Sequence, residues 1–385
     1  MIYLDNNATT QPADPVIDAV ADTMRSTWAN PSSVHRFGQE ARRRVELART
    51  SVSRLIGCRE RELIFTSGAT EANNLALRGI AATRKSRRLI ITLATEHSAI
   101  REPCERLAAE DYEIHHAPID SHGVADLDAL TALLDQRADD IALLTIHWAN
   151  NETGVIQPIE QIGPLCRTRR VPLHTDATQA VGKLPVDVAA AQVDALSLSG
   201  HKMHGPKGVG ALYLRAAQRL RPQSLGGPQE RKRRGGTEAV PGIVGMGVVA
   251  DLAVDLIRSD TPAHIAQLRD RFESAVQATV PDAVINGAAA PRLWNTTNIG
   301  FPSLEAEALL VLLSEREVCA SAGAACSSGS LDPSPVLLAM GIDEPIAHGS
   351  VRFSLSRFTT DQDIDRAAEI IPEVIDKLRG SMVST

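Results

Sequence analysis

Ser199-Gly200-His201-Lys202 closes a short apolar run, Ala195-Leu196-Ser197-Leu198, and leads into the turn His204-Gly205-Pro206-Lys207-Gly208. A lysine held at a strand end on a rigid turn suits Schiff-base formation with an aldehyde cofactor. Desolvation there depresses the amine pKa and makes it nucleophilic. Alone the signal is weak, because most of the 40 Lys and Arg residues must be solvated. An acid in His174-Thr175-Asp176-Ala177-Thr178-Gln179 and a phosphate-type turn, Thr66-Ser67-Gly68-Ala69-Thr70, strengthen it. The three together read as a pyridoxal phosphate (PLP) site.

The pattern of apolar run, loop and helix recurs from about residue 14 to 215. Runs at 62–66, 88–92, 112–115, 141–145, 171–174, 195–198 and 210–214 alternate with helical patterns at 38–56, 70–84, 98–110, 126–136 and 158–169. Several runs are apolar throughout, as in strands of a mostly parallel sheet covered on both faces. This predicts an α/β domain over 14–255 with a seven-stranded sheet. A helical stretch at about 239–279 follows. Then come a strand at 295–299, a helix at 304–314, a strand at 350–354 and a final helix at 361–379. These predict a smaller α+β domain, 1–13 with 256–385, carrying a cysteine-bearing loop at 320–332.

The 385 residues can bury a large core, and the net charge of −7 argues against direct nucleic-acid binding. No basic stretch followed by an apolar one opens the chain, and no apolar run approaches the ~20 residues that span a bilayer. The expected location is the cytoplasm, without membrane contact. Five cysteines, an odd number with no CxxC pair, argue against a disulfide framework or a structural zinc. Cys58, Cys104 and Cys166 sit in or beside helical patterns and read as inert thiols.

Ligands of open α/β sheets bind at the carboxyl ends of strands, where each motif here falls. At Ser67–Thr70, small residues and a helix start suit an anion, although a simple N-cap fits equally. His97 could stack on a planar ring or relay a proton, or be structural. Asn150-Asn151 could be turn chemistry, or Asn151 could donate to a phenolate oxygen. Asp176 could keep a pyridine nitrogen protonated or cap a helix, with Gln179 near the same face. Arg234 and Thr237, in a basic glycine-flanked segment, could reach a phosphate in a neighbouring subunit. Arg352, on a strand, suits a substrate carboxylate or a structural ion pair. Cys326 lies in Ala320-Ser321-Ala322-Gly323-Ala324-Ala325-Cys326-Ser327-Ser328-Gly329-Ser330, which has too little bulk to pack a core and is expected to be mobile and exposed. A thiol there is accessible, but nucleophilic work needs a base such as His97 or a nearby positive charge.

The chain resembles cysteine desulfurases of the fold-type I, class V aminotransferase superfamily, of the type serving iron–sulfur clusters and nitrogenase. The resemblance rests on Tyr3-Leu4-Asp5-Asn6-Asn7-Ala8-Thr9-Thr10, Asn30-Pro31-Ser32-Ser33-Val34-His35, the turn at 67–71, Glu96-His97, the runs at 150–154 and 176–183, the 199–208 segment, the cysteine loop and the stretch at 352–360. It implies that Lys202 holds PLP and removes the substrate Cα proton. Asp176 would pair with the ring nitrogen, and His97 would stack on the ring. Gln179 and Asn151 would contact its hydroxyl. Ala69, Thr70, Ser199 and His201 would hold the phosphate, with Thr237 reaching in from a dimer partner. Arg352 and Asn30 would take the carboxylate of L-cysteine. Cys326 would accept sulfur as a persulfide for an acceptor or iron–sulfur scaffold protein, and is a candidate transient cluster ligand; no other metal is expected. A selenocysteine lyase, another class V enzyme and an idle partner-binding protein are the alternatives. Pro228, Lys232 and Ala239 depart from the family pattern.

Overall fold

The computed structural model describes residues 1–84, 86–323 and 332–383, without the side chains of 381–383. Its strands are β1 (Ile2–Tyr3), β2 (Leu63–Thr66), β3 (Leu89–Thr92), β4 (Glu113–His116), β5 (Ile141–Thr145), β6 (Leu173–Asp176), β7 (Ala195–Ser199), β8 (Gly210–Leu214), β9 (Val284–Ile285), β10 (Thr296–Gly300), β11 (Val318–Cys319) and β12 (Ser350–Ser354). Seven form one sheet in the order β2-β8-β7-β6-β5-β3-β4. Only β8 runs against its neighbours. The carboxyl ends of β2, β3, β5, β6 and β7 therefore share one edge of the sheet.

Alternation along the strands explains the continuous apolar runs. Ile64, Ile90, Leu143 and Leu212 face one apolar cluster with the helices Ala69–Ala81 and Ser98–Ala108. Leu63, Phe65, Leu89, Ile91, Leu144 and Tyr213 face a larger cluster on the other side. Both faces are covered, so both strand periodicities must be apolar.

The expected strand at 171–174 lies two residues later, because Pro172 has no N–H to donate to a ladder and β6 begins after it. Asp176 is thus the last strand residue rather than a loop residue. The expected 239–279 stretch is two helices, Val240–Arg258 and Thr261–Thr279, parted at Ser259-Asp260. Pro262 starts the second, where a missing N–H costs nothing. Ile257 still packs on the large sheet cluster, whereas Ile265 belongs to another. That second cluster gathers Ile2 and Leu4 with Phe272, Phe301, Phe353 and Ile370. It covers the three-stranded sheet β12-β10-β9, and β1 pairs with β11 beside it.

Among the described residues one helix, Val240–Arg258, is long and apolar enough to cross a bilayer by length and composition, although Asp251 and Asp255 interrupt its apolar run. It packs against the helices Asp14–Ser26 and Arg36–Leu55, burying Ile243, Met246, Val249 and Ala253 in the main core. This burial accounts for its composition.

Candidate active site

Lys202 stands where β7 ends, in a single helical turn, Gly200–Lys202. Its amine donates to the carbonyls of Asn7 (2.6 Å) and Ala8 (2.8 Å). Asp176, at the end of neighbouring β6, is buried, and both its oxygens are engaged. Asn73 Nδ2 donates to Oδ2 (2.7 Å) and the Thr178 N–H to Oδ1 (2.9 Å). The two donors hold the carboxyl as an oriented acceptor. His97 caps the helix Ser98–Ala108, its Nδ1 accepting from the Ala99 N–H (3.0 Å), which leaves its proton on Nε2. Burial pushes this imidazole below its usual range. The charge of Asp176 opposes that and the charge of Lys202 adds to it, so both groups lie within electrostatic reach of the ring.

The helix Ala69–Ala81 begins at the end of β2, and no side chain caps it. The position of a Cβ on Gly68 would lie 4.0 Å from Ser199 Oγ, so the helix start and the Ser199 hydroxyl flank an open space. Thr70 and Ser67 are exposed there. An uncapped helix N-terminus beside a hydroxyl suits a phosphate. Together with Asp176, His97 and Lys202 it meets the requirements of PLP: an anion seat, a ring flanked by an imidazole and a carboxylate, and an amine. His201 donates to or accepts from Thr9 Oγ1 (3.2 Å). Gln179 spends its amide differently from the sequence expectation: Nε2 donates to the Asn7 carbonyl (2.9 Å), and Oε1 accepts from Lys183 (2.6 Å).

Arg352 on β12 is 2% exposed, and its fork is engaged. It donates to Asp5 Oδ1 (2.7 Å) and to the carbonyl of Asn151 (3.0 Å), while Nε is unpartnered. The ion-pair reading is the one the structure shows. A substrate carboxylate would have to displace Asp5, because Nε is sealed from solvent. Asn30 is exposed, and its amide oxygen accepts from the Ser32 N–H, so no described contact brings it to Arg352. Thr237 is exposed as well. Arg234 is turned onto Glu71 of its own chain (2.8 and 3.2 Å), rather than held out for a phosphate.

Cys326 lies outside the described residues, but the chain on either side of it does not. The expected exposure fails at its start. Ser321 exchanges backbone hydrogen bonds with Arg352 (3.2 and 2.7 Å) and is buried. Gly323, at φ +85°, packs so tightly on Glu152 that a Cβ would lie 2.8 Å from Oε2. On the far side Ser334 donates to the same Oε2 (2.6 Å). Glu152 therefore fastens both approaches to the segment. Burial raises its carboxyl pKa, against the Ser334 hydrogen bond and the charges of Arg352 and Arg101. Cys58, Cys104 and Cys166 have thiols pushed up to about 12 by burial, in keeping with inert cysteines.

Sequence reasoning assigned no role to Asn73, Asn7, Asp5, Glu152 or Lys183. Asn7 and Lys202 are 195 residues apart, so no spacing rule links them. Only Asn73 carried a usable signal, lying one turn into the helix that starts at the anion seat.

The site also sets an acid limit on stability. Burial pushes His201 and His204 down to about 4. Both are neutral in the folded chain, whereas an unfolded histidine takes up a proton near 6.5. Their contribution is full above that value and is lost as pH falls through about 4. The thermal midpoint is expected to drop on acidification across this window. The substitution His204→Gln should make the drop shallower; an identical slope in that variant would exclude this source.

Residues 2–367 match the Aminotransferase class-V family. A cysteine desulfurase of Nostoc sp. is 47% identical over 381 residues, 99% of this chain and 94% of the relative. A solved NifS-like protein superposes with a TM-score of 0.90 at 36% identity, covering 98% of this chain and all of that one. The structure of SspA in complex with cysteine matches with a TM-score of 0.82 at 34% identity, covering 94% of this chain and all of that one.

Proposed function

The chain belongs to the class V aminotransferase family, its activity is that of a PLP-dependent cysteine desulfurase, and we propose that it moves sulfur from L-cysteine onto Cys326 and then to an acceptor protein. The observation that carries this reading is the fastening of residues 321–323 beside Arg352 and Glu152. Gly323 and Cys326 are three residues apart, at most about 11 Å of extended chain. The segment that leads to Cys326 thus starts beside the arginine that suits a substrate carboxylate.

PLP, when bound, supplies an electron sink for charge developing on the substrate carbon. The chain's own residues do the rest. Arg352 orients the carboxylate, and Lys202 takes the Cα proton and returns protons where they are needed. Asp176, fixed by Asn73 and Thr178, would pair with the ring nitrogen of the bound cofactor, and His97 would lie beside it. The Cys326 thiolate attacks the substrate sulfur. An S–S bond forms as the Cβ–S bond breaks, and the electron pair left on carbon is protonated. The sum is cysteine plus Cys326 thiol giving alanine plus Cys326 persulfide.

Assembly as a homodimer belongs to the same proposal. Trp28 (80% exposed), Val34 (93%) and Phe37 (73%) stand in one stretch, and so much bare apolar surface suits a covered face. Thr237, exposed here, is then available to a second copy. An iron–sulfur scaffold as sulfur acceptor is supported by the likeness to a NifS-like protein. A cytoplasmic location completes the proposal.

The deciding experiment is Cys326→Ala. The variant should keep bound PLP and its absorbance but lose alanine formation from L-cysteine by at least ~10²-fold, a loss typical of removing a reacting group. Undiminished alanine release would favour a lyase that frees the chalcogen without a persulfide.

A further inference from the structure

The seat that Arg352 offers to a carboxylate is already taken by an acid of the same chain. Asp5 Oδ1 accepts from Arg352 Nη2 (2.7 Å). Nη1 donates to the Asn151 carbonyl (3.0 Å), which also accepts from Asn7 Nδ2 (3.1 Å), and Nε is enclosed without a partner. The Nη2 corner of the fork is thus where a carboxylate pairs with this arginine, and Asp5 holds it.

The two partners are not equally fixed. Arg352 pairs with Asn298 across β10 and exchanges two backbone hydrogen bonds with Ser321. Its side chain is 2% exposed, against 22% for that of Asp5. The Asp5 backbone is held by a bridge to Ser354 and by the Ala8 N–H, which donates to its carbonyl (3.1 Å). Its carboxylate is not: among the described residues Arg352 is its one side-chain partner. Rotation about the Asp5 side-chain bonds takes the carboxylate into water with the main chain unmoved. The same turn receives Lys202, through the carbonyls of Asn7 and Ala8. The arginine and the lysine are therefore joined through Asn151 and Asn7, in keeping with a ligand that bears an amine and a carboxylate on one carbon.

We propose that Asp5 is an intramolecular stand-in for the substrate carboxylate: it neutralises Arg352 in the empty site, leaves when L-cysteine or L-alanine binds, and so lowers the affinity for both. A buried guanidinium stripped of its counter-ion is strongly destabilising, so an empty seat favours a resident acid. A ligand that must first displace such a group binds more weakly by the fraction of molecules in which the group has left. The inference rests on the role proposed above for Arg352.

The test is calorimetric titration of the PLP-loaded enzyme with L-alanine and with ethylamine, the same molecule without its carboxylate. Asp5→Asn keeps a hydrogen-bond acceptor and removes the charge. It should tighten L-alanine about tenfold, the low end of what a hydrogen bond to a charged group contributes, and leave ethylamine unchanged. Asp5→Ser should act in the same way and carries the comparison if Asp5→Asn does not fold. Asp5→Glu keeps the charge and should not tighten L-alanine. Affinity for L-alanine that is unchanged or weaker in the neutral variants overturns the proposal, a weaker value making Asp5 a support of Arg352 rather than its competitor. Equal tightening of ethylamine overturns it as well, since the carboxylate would then play no part. Arg352→Gln separates this failure from that of the underlying role: it should weaken L-alanine and spare ethylamine. If it spares both, Arg352 is not the carboxylate seat, and the proposal falls with it.

Discussion

Replacement of Lys202 by alanine should reduce alanine formation from L-cysteine by at least ~10²–10⁴-fold, the range attributable to loss of a positioned acid–base group. Loss of the covalent anchor adds to this. The remaining seat should still hold PLP weakly, because Asp176, the uncapped start of the helix Ala69–Ala81 and Ser199 do not depend on the lysine. The variant is expected to fold, since Lys202 is only part-buried and its partners, the Asn7 and Ala8 carbonyls, can be solvated by water entering the pocket. Its signature is therefore specific: a protein that binds added PLP, loses it on gel filtration and lacks the lysine-linked absorbance. Substantial turnover in this variant would remove Lys202 from the reaction altogether.

The largest expected loss of stability lies elsewhere, at Glu230. Its side chain forms a two-point pair with Arg49 (2.8 and 3.0 Å), and both are almost wholly enclosed. Arg49 also donates to the Leu63 carbonyl and lies over the Phe65 ring, while Glu230 accepts from the Phe65 N–H. The pair thus closes the flank of β2 on the strand that presents the anion seat. To reach it, Glu230, Arg231 and Lys232 all adopt positive φ, a conformation side chains rarely accept. Glu230→Ala would leave the buried guanidinium with only the half-exposed Glu46 and the Leu63 carbonyl, and the Phe65 N–H without a partner, at a cost of ~3–5 kcal/mol. Urea denaturation should show this, whereas the double variant Arg49→Met with Glu230→Met should recover most of it, because well-packed apolar pairs often replace buried ion pairs without loss. A single variant within ~1 kcal/mol of the parent would show that solvent reaches the pair.

The large sheet was legible because its strands are covered on both faces, which writes an uninterrupted apolar signature at β3 and β5. The groups at its carboxyl edge, Asp176, His97 and Lys202, were legible because chemistry there follows each run directly. Short elements such as β1, β9 and β11 were not, since two residues carry no periodicity. The partners of the legible groups were hidden for another reason. Asn73 fixes Asp176, Asn7 serves Lys202, and Asp5 occupies Arg352 across 103, 195 and 347 residues. Such contacts are written only in three dimensions. The charged run at 226–237 reads in sequence as a phosphate contact through Arg234, yet Glu230 and Arg234 are both spent on partners within the same chain.

Asn7 touches Ser354, and Asp5 touches Arg352, so the opening residues are fixed by the last strand of the chain. On the ribosome, at roughly 5–20 residues per second, the N-terminus must wait tens of seconds before its mates are made. Nascent or prematurely terminated chains can hold the sheet but not the finished pocket.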